Sequence, residues 1–166
     1  MAYFQDLNDV VNKVLEMIWK DEKLLKLVAY PNNSIKKEDL FLKNIFPIPR
    51  GFDSVNEQKS FINVYCDSFY PYEGNSGFRG TYLCFDVVSH LNIWADEENS
   101  IIRPYEMCAE IDRMLNNQSN DNTRQISINP PYFAEGKVYR YGEFFYGYKL
   151  KYHISADSNV GGKNKC

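Results

Sequence analysis

The residues best suited to acid–base chemistry lie within one short segment, TYLCFDVVSHLNIWA. His90 stands two residues before Asn92 and four after Asp86, and a period of two puts these three side chains on the polar face of a strand. A histidine near a carboxylate can act as a general base, so one hypothesis is a small-ligand-binding or catalytic site around His90. No GxSxG, HExxH or Cys–His motif accompanies it, and the same pattern is typical of a surface or interface histidine.

Metal ligands are scarce in this sequence. The chain has four cysteines, none of them in a CxxC pair: Cys66, Cys84, Cys108 and Cys166. Only His90 and His153 remain to complete a zinc site, and three of the cysteines fall in apolar segments typical of buried thiols in a reducing compartment. The acidic run at 96–98 points its carboxylates in diverging directions and indicates a solvated turn. We therefore expect no catalytic residue, no metal and no cofactor.

The stretch SFYPYEGNSGFRG combines glycines with aromatic residues. It lacks a GK[ST] ending and no helical pattern follows it, which argues against a phosphate-binding loop. Its rings could stack on single-stranded nucleic acid, but Arg79 is the local cation and Glu73 opposes it. The net charge of −3 likewise does not suit a general nucleic-acid binder.

Two amphipathic helices are predicted from apolar spacing of three and four residues. The first covers 6–20 with Asp6 as its N-cap, and the stretch DEKLLKLV either continues this helix or forms a short one after a bend near Asp21. The other confident helix has Pro104 at its first position and an apolar stripe that includes Met107, with Glu110 facing water.

Alternation of apolar and polar residues predicts strands that begin at Phe61, cover 81–95 and cover 143–155. A shorter strand is predicted at 124–128, and 129–143 is predicted to be a loop or a distorted hairpin. Hairpin-linked strands that share apolar faces indicate a small, mostly antiparallel sheet with helices packed on one face, which is an α+β fold.

The organisation is that of one folded domain, because 44% hydrophobic and 25% charged residues exclude wholesale disorder. We expect this single domain over residues 1–155, with 34–60 as an insertion or linker and 68–80 as a protruding hairpin arm. Residues 156–166 have no periodicity and are expected to form a flexible tail. The chain shows no secretory signal and no apolar stretch long enough to span a bilayer, so no membrane partner is expected.

Aromatic residues make up 16% of the chain, and many lie in turn-rich segments where they cannot all pack beneath a sheet. The arm is one such segment and the loop at 132–141 is another. Exposed rings of this kind mark protein–protein contacts, whereas the alternative is a loop folded onto its own core. The predicted interface residues are Phe69, Tyr70, Tyr72, Phe78 and Arg79.

The stretches FINVYCDSFYPY, SHLNIWADEENSIIRPYEMCAEIDRMLNN and FFYGYKLKYHI follow one another in an order that resembles the small tail-completion proteins of tailed phages. These are the tail terminator and head–tail neck proteins. In the shared order, a long strand ending in a polar turn precedes an Arg-Pro-led helix, and two strands follow, over residues 61–155.

This resemblance implies a non-enzymatic structural protein of the virion with a small antiparallel sheet and flanking helices. Its subunits would form a closed ring at the head–tail junction or at the tail end, after assembly in the bacterial host cytoplasm. Hairpin arms would contact neighbouring subunits or other neck, connector and tail-tube proteins. DNA would pass through the lumen without specific binding.

Overall fold

The computed structural model describes residues 3–49, 57–71, 78–116, 126 and 131–157. The described helices are α1 Tyr3–Lys20, α2 Glu22–Ala29, α3 Lys37–Leu40 and α4 Arg103–Asn116, and a short 3₁₀ helix covers Leu91–Ile93. The described strands are β1 Ile45–Phe46, β2 Ser60–Pro71, β3 Phe78–His90, β4 Ala95–Asp96, β5 Ile101–Ile102, β6 Tyr132–Tyr141 and β7 Phe145–Asp157. The fold is α+β, as the sequence predicts.

Five strands form one sheet in the order β1–β2–β3–β7–β6. β1 runs parallel to β2 and every other neighbouring pair is antiparallel, so the sheet is mostly antiparallel. The apolar positions of the three long central strands are in register: Val64 lies opposite Phe85, which lies opposite Leu150 on its other side. This register collects the apolar alternate residues on one face of the sheet.

Helices α1, α2 and α4 cover that apolar face, which confirms the prediction of helices on one side of the sheet. The buried side chains of the helical layer include Val14, Ile18, Leu24, Met107 and Ile111. Each such side chain contributes roughly 1.5–3 kcal/mol by leaving water. The opposite face of the sheet has no helical layer in the described part of the chain, and it carries the polar alternate residues of the same strands.

Asp21 separates α1 from α2, as the bend in the pattern predicts. Its carboxylate accepts the backbone N–H of Leu24 at 3.0 Å, which caps α2. The same side chain lies 2.5 Å from Arg113 on α4, and Arg113 in turn pairs with Glu110 at 2.7 Å. Lys23 approaches Glu110 to 2.6 Å, so the carboxylate is held between two cations.

Several local predictions were wrong at element ends. α1 begins at Tyr3, so Asp6 lies inside the helix instead of capping it, and α4 begins one residue before Pro104. Glu110 is buried, not exposed to water, because its two cationic partners compensate its charge. Strand β3 covers Phe78–His90, so it begins before the predicted strand 81–95 and ends earlier, where the chain turns into the 3₁₀ helix.

The segment 129–143 was the largest error, since 132–141 forms strand β6 at the edge of the sheet. Of the predicted strand at 124–128, the described part is Ile126, which is helical. The segment 34–60 contributes α3 and β1, and Asn44 ties it to the domain by donating to the carbonyls of Val28 and Ser60. Two residues of the expected tail belong to β7, and 158–166 lie outside the described residues.

Candidate functional site

The sheet surface that faces away from the helices is called the outer face here. Its polar part on the long strands is lined by Asn63, Tyr65, Asp67, Tyr82, Cys84, Asp86, Glu135, Lys137, Tyr139, Lys149, Lys151 and His153. At one end of the same face, Phe61, Val88 and Phe145 form a separate buried apolar cluster. Its centre is Asp86, whose side chain is only 3% exposed. The carboxylate of Asp86 accepts from Tyr65 at 3.2 Å and from Asn63 at 3.3 Å, and it pairs with Lys149 at 3.3 Å.

The protonation states at this centre follow from its geometry. Burial alone would lower the pKa of Lys149, but its contacts with Tyr65 and Asp86 outweigh burial and raise that pKa. Burial raises the pKa of Tyr65 to about 12, and the charge of Asp86 adds to this effect. Lysine and tyrosine therefore both keep their protons near neutral pH, so neither is poised as a general base or a nucleophile.

A second ionic cluster lies beside the centre on the outer face. Lys151 lies 3.3 Å from Asp67 and 3.9 Å from Glu135, and its ammonium lies 5.7 Å from the ring centre of Tyr82. When Lys137 and the Asp86–Lys149 pair are included, the described residues of the outer face include as many lysines as carboxylates. The described part of the outer face is thus rich in tyrosine but has no excess of positive charge, which a single-stranded nucleic-acid platform requires.

His153 is the centre of an aromatic cluster at the far end of the outer face. The rings of Tyr70, Tyr82 and Tyr132 lie 5.6, 5.9 and 4.7 Å from its own ring centre, and burial lowers its pKa. Tyr70 lies so close over Gly80 that a Cβ at that position would be 2.5 Å from the tyrosine ring. The glycine therefore permits Tyr70 to pack on its own sheet.

Among the predicted interface residues, Tyr70 is the one whose side chain is described, and it is half-buried against its own chain. Phe69 belongs to β2, while Phe78 and Arg79 belong to β3. The side chains of these three residues, and all of Tyr72, lie outside the described part of the structure. Their role as contacts stays a prediction.

The residues of the His90 hypothesis do not converge on one site. His90 is buried at the end of β3, its Nδ1 accepts the backbone N–H of Asn92 at 3.1 Å, and its ring stacks on Phe144 at 5.8 Å. Asn92 is exposed beyond the strand end. Asp86 lies four residues back along the strand, roughly 13 Å away at the usual strand rise, and is held by the central network.

The thiols and carboxylates of the described residues do not form a metal site. No group of three or more histidine, cysteine, aspartate or glutamate side chains comes together within that part of the chain. Burial raises the pKa of Cys66 and Cys108 to about 12 and that of Cys84 to about 11, so these thiols stay protonated near neutral pH. In the acidic run, Asp96 closes a turn by accepting the backbone and side-chain amides of Asn99.

Strand β6 carries the large apolar side chains of the five-stranded sheet that are exposed among the described residues. Tyr132, Phe133 and Val138 are 58%, 51% and 68% exposed. β6 pairs with β7 on one side, and no strand of the described chain pairs with its other side. The aromatic content of this segment was noted in the sequence, but its strand character was not.

Comparison with known proteins places the chain in a family. Among the described residues no helix has the length and apolar character needed to span a membrane. No curated protein sequence matches the chain. The family model YomW matches residues 21–154, which covers α2, α4 and the five-stranded sheet up to Ile154 in β7. With that extent of match, the chain belongs to the YomW family, a family associated with phages of the Bacillus SPbeta type.

Proposed function

We propose that this chain is a non-enzymatic structural protein of a phage particle, which assembles with its own copies into a closed ring at the head–tail junction or at the tail end. Membership of a phage-associated family supports the phage setting, and the order of sequence features supports the position in the particle. A ring needs two different complementary surfaces on each subunit, because a head-to-tail contact is the kind that closes by rotation. The net charge of −3 is compatible with a lumen through which DNA slides without being gripped.

The observation that carries this proposal is the narrow end of the sheet. β6 begins opposite His153 and β1 accompanies only the first part of β2, whereas β2, β3 and β7 continue together to Pro71, Phe78 and Asp157. Residues 68–71, 78–80 and 154–157 form this end, which we call the projection. It extends roughly 13 Å past the edge strand β6, at the rise of a strand. Three paired strands are a stiff support for a hairpin tip that reaches a neighbouring subunit.

The aromatic cluster around His153 supports this reading of the projection. Tyr70 packs across Gly80 and against Tyr82, so it ties β2 to β3 and β7 where the sheet is narrowest. In the proposed ring Tyr70 stiffens the projection, while Phe69 and Phe78 are contacts with the neighbour. The other proposed contacts are Tyr72 and Arg79.

The test is a variant in which residues 72–78 are replaced by Asn-Gly, a two-residue turn that joins the paired residues Pro71 and Arg79 and so keeps the strand register and the Tyr70 cluster. Its matched control is a chain that ends after Asp157. Light scattering and negative-stain images should show rings for the wild type and for the control. The shortened variant should keep its circular dichroism and melting temperature but form no ring. Rings that survive the shortening would exclude the tip as a contact, and a wild type that never forms rings, with or without its neighbours, would exclude the proposed function.

A further inference from the structure

Within the described part of the chain, the edge of the sheet formed by β6 is open in a way that the opposite edge is not. β1 is two residues long, and β2 beyond it has a bulge between Asp67 and Phe69 with a positive φ of 29° at Ser68. Short strands and bulges are the usual protection of a sheet edge, because they interrupt the row of free backbone groups. β6 also has an irregularity next to Ala134, but from Glu135 to Tyr141 its pairing with β7 is uninterrupted.

We propose that β6 binds β6 of a second copy of this chain, antiparallel and across a two-fold axis normal to the sheet, so that the two five-stranded sheets join edge to edge. An antiparallel arrangement of two identical strands is isologous, so each strand supplies the same groups to the other. The regular stretch 135–141 sets the length of the contact at seven residues on each side.

When Val138 lies on the two-fold axis, the side chains of this stretch are complementary to those of the same stretch in the second copy. Val138 then faces Val138 of the second copy, which buries the most exposed of the large apolar side chains described. Lys137 lies opposite Tyr139 of the second copy, a cation beside a ring, and Glu135 lies opposite the hydroxyl-bearing Tyr141. A register centred on Lys137 would instead oppose two like charges, and one centred on Tyr139 would pair only five residues.

The helical layer leaves room for the second copy. α1, α2 and α4 pack over β2, β3 and β7, so the helices of the two copies lie on the same face of the joined sheet without meeting at the axis. Val138 is opposite Tyr148, eight residues along β7 from Ala156 in the projection, which is roughly 26 Å. The two-fold contact therefore uses a different surface from the proposed ring contact and does not depend on it.

The first experiment is disulfide cross-linking of Val138→Cys in a Cys166→Ser background. Facing residues in an antiparallel pair have Cα atoms about 4.5–5.5 Å apart, within the range that a disulfide spans. Arg140→Cys is the matched control, since it lies on the same exposed face of β6 but about 14 Å from its own copy in this register. Mild oxidation should convert most of the Val138→Cys protein to dimer and little of the control. Equal cross-linking of both variants, or none of either, would overturn the proposal.

The second experiment is sedimentation over a roughly hundredfold range of concentration. The wild type should show a concentration-dependent doubling of the species it forms, whether monomer or ring, and Val138→Lys should remove that step because it opposes two ammonium groups at the axis. The variant with residues 72–78 replaced by Asn-Gly should still dimerise, which separates failure of this contact from failure of the ring. A wild type with no two-fold step, or a Val138→Lys protein that dimerises as well as the wild type, would contradict self-pairing of β6.

Discussion

Neutralising Asp86 tests the ionic centre of the outer face. Asp86→Asn keeps the shape of the side chain but removes the charge that faces Lys149 at 3.3 Å. At an effective dielectric constant of about 20, that attraction is worth about 5 kcal/mol before other costs. Because the Lys149 side chain keeps 21% of its exposure, water screens part of the attraction and partly solvates the lysine once it is unpaired. We expect the free energy of unfolding to fall by about 2 kcal/mol.

Urea denaturation at neutral pH measures this loss, and two further variants calibrate it. Lys149→Met leaves the nearly buried carboxylate without its cation, so its combination with Asp86→Asn should be milder than the sum of the two, by about 1–2 kcal/mol. Asp67→Asn breaks a pair of the same 3.3 Å length to Lys151, but Asp67 is 47% exposed, so we expect a loss below about 0.5 kcal/mol. If Asp86→Asn costs no more than Asp67→Asn, burial of the central pair is not what gives it strength.

Three further results are expected from the packing. Gly147→Ala should destabilise the protein by about 3 kcal/mol or more, because the new Cβ would clash with the carbonyl oxygen of Val87. An unchanged melting temperature would contradict the close approach of β7 to β3. Burial acts to raise the pKa of Glu110, but its hydrogen bonds with Lys23 and an arginine outweigh burial and hold that pKa below its ordinary value. The stability that this ionisation contributes is present above about pH 4.3 and is lost as the pH falls through the lower folded pKa. Glu110→Gln should therefore lower the free energy of unfolding by about 1 kcal/mol at pH 7 and should not change it at the acid end of a pH series. A difference between wild type and variant that persists on acidification would contradict the charge pairing. Cys66, with its pKa raised to about 12 by burial, should escape iodoacetamide at pH 8 until the chain unfolds, as read by peptide mass, and fast labelling of the native protein would contradict its burial.

The central strands and helices were predictable because each has one buried face. Val64 and Phe85 alternate with polar neighbours, and the stripe that contains Met107 recurs every three or four residues, so the period itself reports which side is buried. The partners of Glu110 were not predictable in the same way, since Lys23 is remote in sequence and meets it only after α2 packs against α4. A polar residue on a helix therefore reads as exposed until its tertiary partner is known.

The same limit applies to the outer face. Asp86 was assigned to the polar face of its strand, but only the pairing of β3 with β7 sets Lys149 opposite it. His90 carried the acid–base hypothesis because it follows Asp86 by four residues on one face, yet that spacing along a strand separates the two side chains instead of joining them. In a sheet, chemistry is assembled across strands, so spacing along a single strand is weak evidence for a site.

Strand β6 was missed for a reason that also bears on its function. An edge strand that is exposed on both faces has no buried side to impose alternation, and the irregularity at Ala134 breaks the period that remains. Gly136 in its middle adds a turn signal. Exposure on both faces therefore explains why the sequence pattern did not reveal this strand, and it also marks a strand that the described part of the fold leaves uncovered. A partner strand from another molecule would explain why β6 has seven regularly paired residues centred on the exposed Val138. The proposed second copy supplies a strand of equal length.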